Sequence, residues 1–249
     1  MNNLMPIFSA KSLSIGYSAK KPLHKNLNVR LFRGTLTALT GDNGTGKSTL
    51  LKTFTKILKP LSGEIFFGEK NINQIPQKEF SKLLAVVLTD KFSSENLSAF
   101  EIISFGRSPY TGFFGKLLDE DFSVIKNVAK DLNIEKILDK NFYELSDGQK
   151  QKVLIAKALA QEAEIIILDE PTAFLDFNAK DEIFALLKKI AGEKNIAVLV
   201  STHDIFSVVK YADFLWLMSE DGLKTGSTKE MIEGEKYFST LKKRLTLQS

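Results

Sequence analysis

Residues Gly41-Asp42-Asn43-Gly44-Thr45-Gly46-Lys47-Ser48 have the spacing G-x-x-x-x-G-K-[ST]. Glycines at such positions let the backbone curl tightly and turn successive N–H groups inward, which makes a cradle for phosphate oxygens. A helix starting after the loop adds its positive N-terminal end. Lys47 supplies a point charge to the β and γ phosphates, and the Ser48 hydroxyl is a ligand for Mg²⁺. Further on, Ile165-Ile166-Ile167-Leu168 is an apolar run that ends in Asp169-Glu170. A strand buried on both faces delivers its polar end to the carboxyl edge of a sheet, where ligands bind in wound α/β folds. There Asp169 can hold Mg²⁺ through water, and Glu170 can polarise an attacking water. The two motifs together point to ATP and Mg²⁺, and to hydrolysis of the γ-phosphate.

The elements that must position these groups are legible in outline. Short β-rich runs alternate with helical patterns, which predicts an α/β core. Strands are expected at Ile7–Tyr17, Thr35–Thr40, Gly63–Gly68, Leu84–Leu88, Ile165–Leu168 and Ile196–Val200, with Phe214–Met218 as an edge strand. Helices are expected at Lys47–Leu58, stopped by Lys59-Pro60, at Lys180–Ile190 and at Lys229–Leu247. From about Thr89 to Ala160 the pattern is mostly helical: Phe122, Ile125, Val128, Ala129 and Leu132 recur at helix spacing, and Ser108–Gly115 reads as a loop. This stretch is expected to be a helical subdomain inserted into one domain spanning residues 1–249. Leu145-Ser146-Asp147-Gly148-Gln149 opens a helix, and Ser146 with Gln149 has the spacing of a capping box.

The bulk properties exclude several alternatives. With 249 residues, 43% hydrophobic and 26% charged, the chain has the material for a substantial core. No apolar run reaches bilayer-spanning length, so the chain is not expected to carry a solute across a membrane unaided. Met1–Pro6 lacks the pattern of a secretory signal. The absence of cysteine excludes thiolate chemistry, and two histidines, His24 and His203, are too few for a histidine-rich metal site. The net charge is +4 and the pI about 9.0, but the lysines are dispersed, densest at Lys242–Arg244. They are read as a solvated surface and not as a nucleic-acid interface.

In this combination of motifs the chain resembles the ATPase subunits of ABC transporters. The resemblance rests on six motifs in order: Tyr17, the loop Gly41–Ser48, Leu145–Gln149, Ile165–Glu170, the turn Ala173-Phe174-Leu175-Asp176, and His203 in Ser201-Thr202-His203-Asp204. It implies a P-loop core of ABC type with an N-terminal antiparallel β region and an inserted helical subdomain. It implies that Tyr17 stacks on adenine and that Gly41 through Ser48, with Thr49, hold the nucleotide. Ser146, Gly148 and Gln149 would meet the γ-phosphate of ATP held by a second copy, and Asp176 would lie between the copies. Lys47, Glu170 and His203 would carry catalysis, with Ser48 and Asp169 on the metal. His24 matches no motif and is read as a surface residue.

Two departures stand out. The signature has Asp147 where the family has Gly, and its carboxylate is expected to point to solvent. After Leu84–Leu88 the family has a Gln that touches Mg²⁺; this chain has Thr89-Asp90, either of which could supply an oxygen. Within the family, Phe105-Gly106-Arg107-Ser108-Pro109-Tyr110 resembles a stretch found in importers of iron–siderophore complexes, haem and cobalamin. The resemblance implies a head-to-tail homodimer at the cytoplasmic face of the membrane, a polytopic permease as partner, and a periplasmic or surface binding protein acting indirectly. A soluble ATPase of an assembly complex, such as one for iron–sulfur clusters, would share the same ATP motifs.

Overall fold

Alternation of side chains along a buried strand divides the molecule into two cores. The computed structural model describes residues 5–88, 96–112 and 115–233. Its larger sheet has six strands: β3 (Leu36–Gly41), β6 (Leu84–Val87), β7 (Ile165–Asp169), β8 (Ala197–Ser201), β9 (Phe214–Ser219) and β10 (Gly222–Ser227). They lie in the order β10-β9-β3-β8-β7-β6, and all neighbours are parallel except β9 and β10. On β7, Ile165 and Ile167 face one side while Ile166 and Leu168 face the other, as the period of two requires.

The first face is covered by α1 (Lys47–Phe54) and by a second, antiparallel sheet of β1 (Phe8–Ile15), β2 (His24–Leu31), β4 (Ser62–Phe67) and β5 (Lys70–Asn71), ordered β2-β1-β4-β5. Phe54 joins the layers, meeting Phe8 edge-on at 5.2 Å and Trp216 at 6.2 Å. A short helix, α2 (Gln77–Leu83), leads into β6.

The second face carries α3 (Ala99–Ser104), α4 (Asp119–Asp131), α5 (Asp147–Ala160), α6 (Phe177–Glu193) and α7 (Ile205–Tyr211), and α8 (Thr228–Glu233) follows β10. The described residues between β6 and β7 are helical apart from turns and one isolated bridge, Ser98 to Asn141. Ile125, Val128, Ala129 and Leu132 are buried as the helical spacing predicts, whereas Phe122 lies at the rim, stacked on Phe100 at 5.8 Å.

Three expectations need adjustment. Strand β9 is internal, because Glu220-Asp221 makes a two-residue hairpin turn and β10 takes the edge. The polar, glycine-containing sequence of β10 (GLKTGS) gave no apolar alternation by which to find it. Helix α1 ends early, at Phe54, with Lys56 in a left-handed conformation before the Lys59-Pro60 stop. Helix α6 begins earlier than Lys180 because Asp176 caps it, accepting a hydrogen bond from Ala179 N at 2.8 Å. Thr89, Asp90, Lys242–Arg244 and most of Lys229–Leu247 lie outside the described residues.

Candidate active site

Strand order brings the chemistry together. Strands β3, β8 and β7 are neighbours, and their carboxyl ends carry Gly41 with its loop, His203 and the pair Asp169-Glu170. At the start of the loop, Gly41 has φ +152° and passes so close to β9 that a Cβ would lie 2.1 Å from the Met218 carbonyl oxygen. Only glycine fits there. Thr45 braces the turn by donating from Oγ1 to the Asp42 carbonyl at 2.8 Å. Asp42, Asn43 and Gly44 are exposed at the tip, while Thr45, Lys47 and Thr49 are buried.

Lys47 begins α1 and folds back over the loop. Its Nζ donates to the carbonyls of Gly41 at 3.0 Å and Asp42 at 2.9 Å. Burial pushes the ammonium below its usual range, and the Glu170 and Asp169 carboxylates partly offset this. Ser48, next on the helix, exposes its hydroxyl. The loop thus sets the Lys47 ammonium within electrostatic reach of the Glu170 and Asp169 carboxylates.

Glu170 is held in an uncommon conformation. Its φ is +46°, in the left-handed region, which costs a non-glycine residue about 1–3 kcal/mol. Ser201 at the end of β8 offsets that cost. Glu170 N donates to the Ser201 carbonyl at 3.1 Å and to Ser201 Oγ at 2.9 Å, while Ser201 Oγ donates to Asp169 Oδ1. One hydroxyl therefore holds both the Asp169 carboxylate and the Glu170 backbone, a role that no motif signals. Glu170 Oε1 lies 2.8 Å from His203 Nε2. An ionised carboxylate only accepts, so Nε2 carries the proton. Both side chains are about one-third exposed, so the pair remains accessible to solvent.

The other predicted residues are distributed as follows. Tyr17 is 71% exposed just beyond β1, a free flat ring. Ser146 and Gln149 form the capping box of α5: Gln149 N donates to Ser146 Oγ at 3.3 Å, and Ser146 N donates to Gln149 Oε1 at 3.1 Å. Gly148 lies beside Ala179 of α6. Asp147 is exposed, 4.0 Å from Lys150. Helix α5 packs on α3, α4 and β6, whereas α1 packs on β1, β3 and β7, so the signature and the loop belong to different parts of the molecule. Asp176 is exposed at the start of α6. Thr89 lies outside the described residues. His24 corrects the sequence reading: it is only 7% exposed, and its Nε2 is 2.6 Å from the Thr45 carbonyl of the loop. No motif signals it, since the contact joins residues twenty-one apart.

The donors present suit Mg²⁺. Among the described residues no group of three or more His, Cys, Asp and Glu side chains is placed to hold a metal. A hydroxyl and one carboxylate completed by phosphate oxygens is the usual mode for this hard ion.

The ABC transporter family model matches residues 24–173, which include the loop, the signature and the two acids. An ABC transporter ATP-binding protein of Methanocaldococcus jannaschii is 42% identical over 85% of this chain and 73% of its own length. The iron(3+)-hydroxamate import ATP-binding protein FhuC of Bacillus subtilis is 32% identical over 93% of this chain and 85% of its own. A solved metal-chelate type ABC transporter, in an inward-facing conformation, superposes with a TM-score of 0.81 at 32% identity, over 92% of this chain and 86% of the other. With the P-loop, signature and acidic strand on one α/β scaffold, the chain belongs to the ABC transporter family and is an ATP-binding subunit that hydrolyses ATP.

Proposed function

We propose that the chain is the motor subunit of an ABC importer that takes up an iron complex, such as a siderophore or haem, or cobalamin. The observation that carries the catalytic part is the meeting of Lys47 with the Glu170–His203 pair at one sheet edge. The FhuC relative and the metal-chelate transporter support the substrate class. Among the described residues no helix is long and apolar enough to cross a membrane, so a separate polytopic permease must supply the pathway. The protein then works at the cytoplasmic face, and a periplasmic or surface binding protein delivers the solute.

The residues act as follows. Tyr17 stacks on adenine. Backbone N–H groups of Gly41 through Ser48, with Thr49, hold the phosphates. Lys47 Nζ leaves the Gly41 and Asp42 carbonyls for the β and γ phosphates and neutralises charge as the γ-phosphoryl transfers. Glu170 Oε accepts a proton from the water that attacks the γ-phosphorus in line, while the bond from that phosphorus to the β-phosphate oxygen breaks and ADP leaves; His203 Nε2–H holds the carboxylate in position. Mg²⁺ would be held by Ser48 and Asp169 and would neutralise charge on the phosphates. Two copies pack head to tail, so that Ser146, Gly148 and Gln149 of each close on the ATP of the other and Asp176 lies between them. Closure and reopening of this pair would drive the permease.

Affinity purification of the tagged protein from gently solubilised native membranes tests the transport assignment. Recovery of a polytopic permease is expected. Recovery of soluble assembly proteins alone would replace the importer reading with that of an assembly ATPase. The adenine shelf has its own test. Tyr17→Ala should weaken ATP binding roughly tenfold, in the range of one base–aromatic stack, and Tyr17→Phe should bind as the wild type does. Equal weakening by both substitutions would remove stacking as the role of Tyr17. Fluorescent-nucleotide titration reads the difference.

A further inference from the structure

Beyond the residues already given roles, one buried contact bears directly on the loop, and its significance rests on the reading that the loop binds ATP. We propose that His24 is a positioning residue for the phosphate loop, tying the first strand pair to the peptide between Thr45 and Gly46. His24 opens β2 and is nearly enclosed. Its Nε2 approaches the Thr45 carbonyl oxygen at 2.6 Å. A carbonyl only accepts, so Nε2 must carry a proton.

The consequence follows from peptide geometry. In a trans peptide the C=O of Thr45 and the N–H of Gly46 point in opposite directions. Holding the carbonyl toward β2 therefore turns the Gly46 N–H away from β2. That orientation is the one a phosphate cradle needs, because a flipped peptide would present a carbonyl oxygen to an anion. A second contact reinforces the first. Gly46 has φ +102°, and a Cβ built on it would lie 3.4 Å from His24 Cδ2 and 3.6 Å from Nε2, so the ring packs against the glycine backbone. Gly46 precedes Lys47, so the same peptide sets the start of α1.

His24 also pairs with Ile15 across the β1–β2 ladder, two residues before Tyr17. The imidazole thus connects the strand that presents the adenine shelf to the loop that holds the phosphates. A histidine can do this where an aliphatic residue cannot: leucine would fill the space but leave a buried carbonyl without its donor.

ATP titration and steady-state hydrolysis of the full chain, compared among wild type, His24→Leu and His24→Gln, test the proposal. The glutamine carboxamide has an N–H at similar reach. His24→Leu should raise both the ATP dissociation constant and KM about tenfold, with a smaller effect on kcat, as expected when one buried hydrogen bond that preorganises ground-state binding is lost. His24→Gln should recover most of that loss. Unchanged ATP affinity in His24→Leu would overturn the proposal, as would equal losses in the two variants. Nitrogen-15 NMR of the imidazole gives a second test that needs no variant. A proton on Nε2, protected from exchange, is expected, and a neutral ring protonated at Nδ1 would overturn the proposal. A Lys47→Ala control separates the two levels of inference. If wild type binds ATP, Lys47→Ala does not, and His24→Leu binds as wild type, then only the His24 role falls. If wild type fails to bind ATP, both readings fall.

Discussion

Glu170→Gln is expected to leave ATP binding intact and to slow phosphate release at saturating ATP and Mg²⁺ by about 10²–10⁴-fold, the range spanned by loss of a positioned general base. The substitution isolates chemistry from structure. The amide occupies the same volume, and its oxygen can still accept the hydrogen bond from His203 Nε2 that now spans 2.8 Å. The backbone N–H that holds residue 170 to Ser201 is unaffected. Only the capacity to take a proton from water disappears. Single-turnover hydrolysis and nucleotide retention, measured side by side, report the two properties separately. Turnover within a few fold of wild type would remove Glu170 from the base role. A Ser201→Ala variant should impair the same step less, because it loosens both acids without removing either.

Features set by local patterning are legible in the sequence itself. Gly41–Ser48 and Ile165–Glu170 carry their chemistry in contiguous residues, and their positions on a strand–loop–helix and at a strand end follow from apolar periodicity. The capping box of Ser146 and Gln149 was equally legible, because both partners lie within one turn. His24 and Ser201 take their roles only from contacts far apart in sequence. His24 reads as an ordinary polar residue until β2 is folded against the loop. Ser201 is a strand-end serine until strand order sets it beside Asp169 and Glu170. Strand β10 escaped because its edge position demands no apolar face. Strand order is the variable that single-chain periodicity leaves open, and here it decides which polar ends share a site.

Arg107 shows the same lesson at the level of stability. Its motif, Phe105–Tyr110, carried the resemblance to importers of iron complexes and cobalamin, yet the side chain is 3% exposed and turned into the helical region. Its Nε pairs with Asp121 Oδ1 at 2.7 Å, and Nη1 reaches the Ala160 carbonyl at 2.8 Å and Glu162 at 2.6 Å. Beside it, Gly106 passes so near α5 that a Cβ would lie 2.2 Å from the Lys157 carbonyl oxygen. Tyr110 stacks under the guanidinium at 4.1 Å and donates to the Gln161 carbonyl at 3.0 Å. The stretch is an internal tether that binds α3 and α4 to the end of the signature helix. Arg107→Ala is expected to destabilise the protein by about 3–5 kcal/mol, because it leaves the buried Asp121 carboxylate without its cation. That is a large share of a typical stability of about 5–15 kcal/mol, and urea unfolding will read it. Asp121→Asn added to Arg107→Ala should recover part of the loss. The amide removes the unpaired charge yet can still accept from Leu118 N, which now donates to Asp121 at 2.9 Å. The acid dependence has a definite sign. The Leu118 backbone N–H, and then Arg107, hold the Asp121 carboxyl below the usual carboxylate range. Its stabilisation is therefore complete above the unfolded value of roughly 3.9 and is lost as pH falls below that toward the depressed folded value. The gap in stability between wild type and Asp121→Asn should be constant near neutrality and close in acid. A gap that did not narrow in acid would mean that packing, and not the charge on Asp121, is what Arg107 sustains.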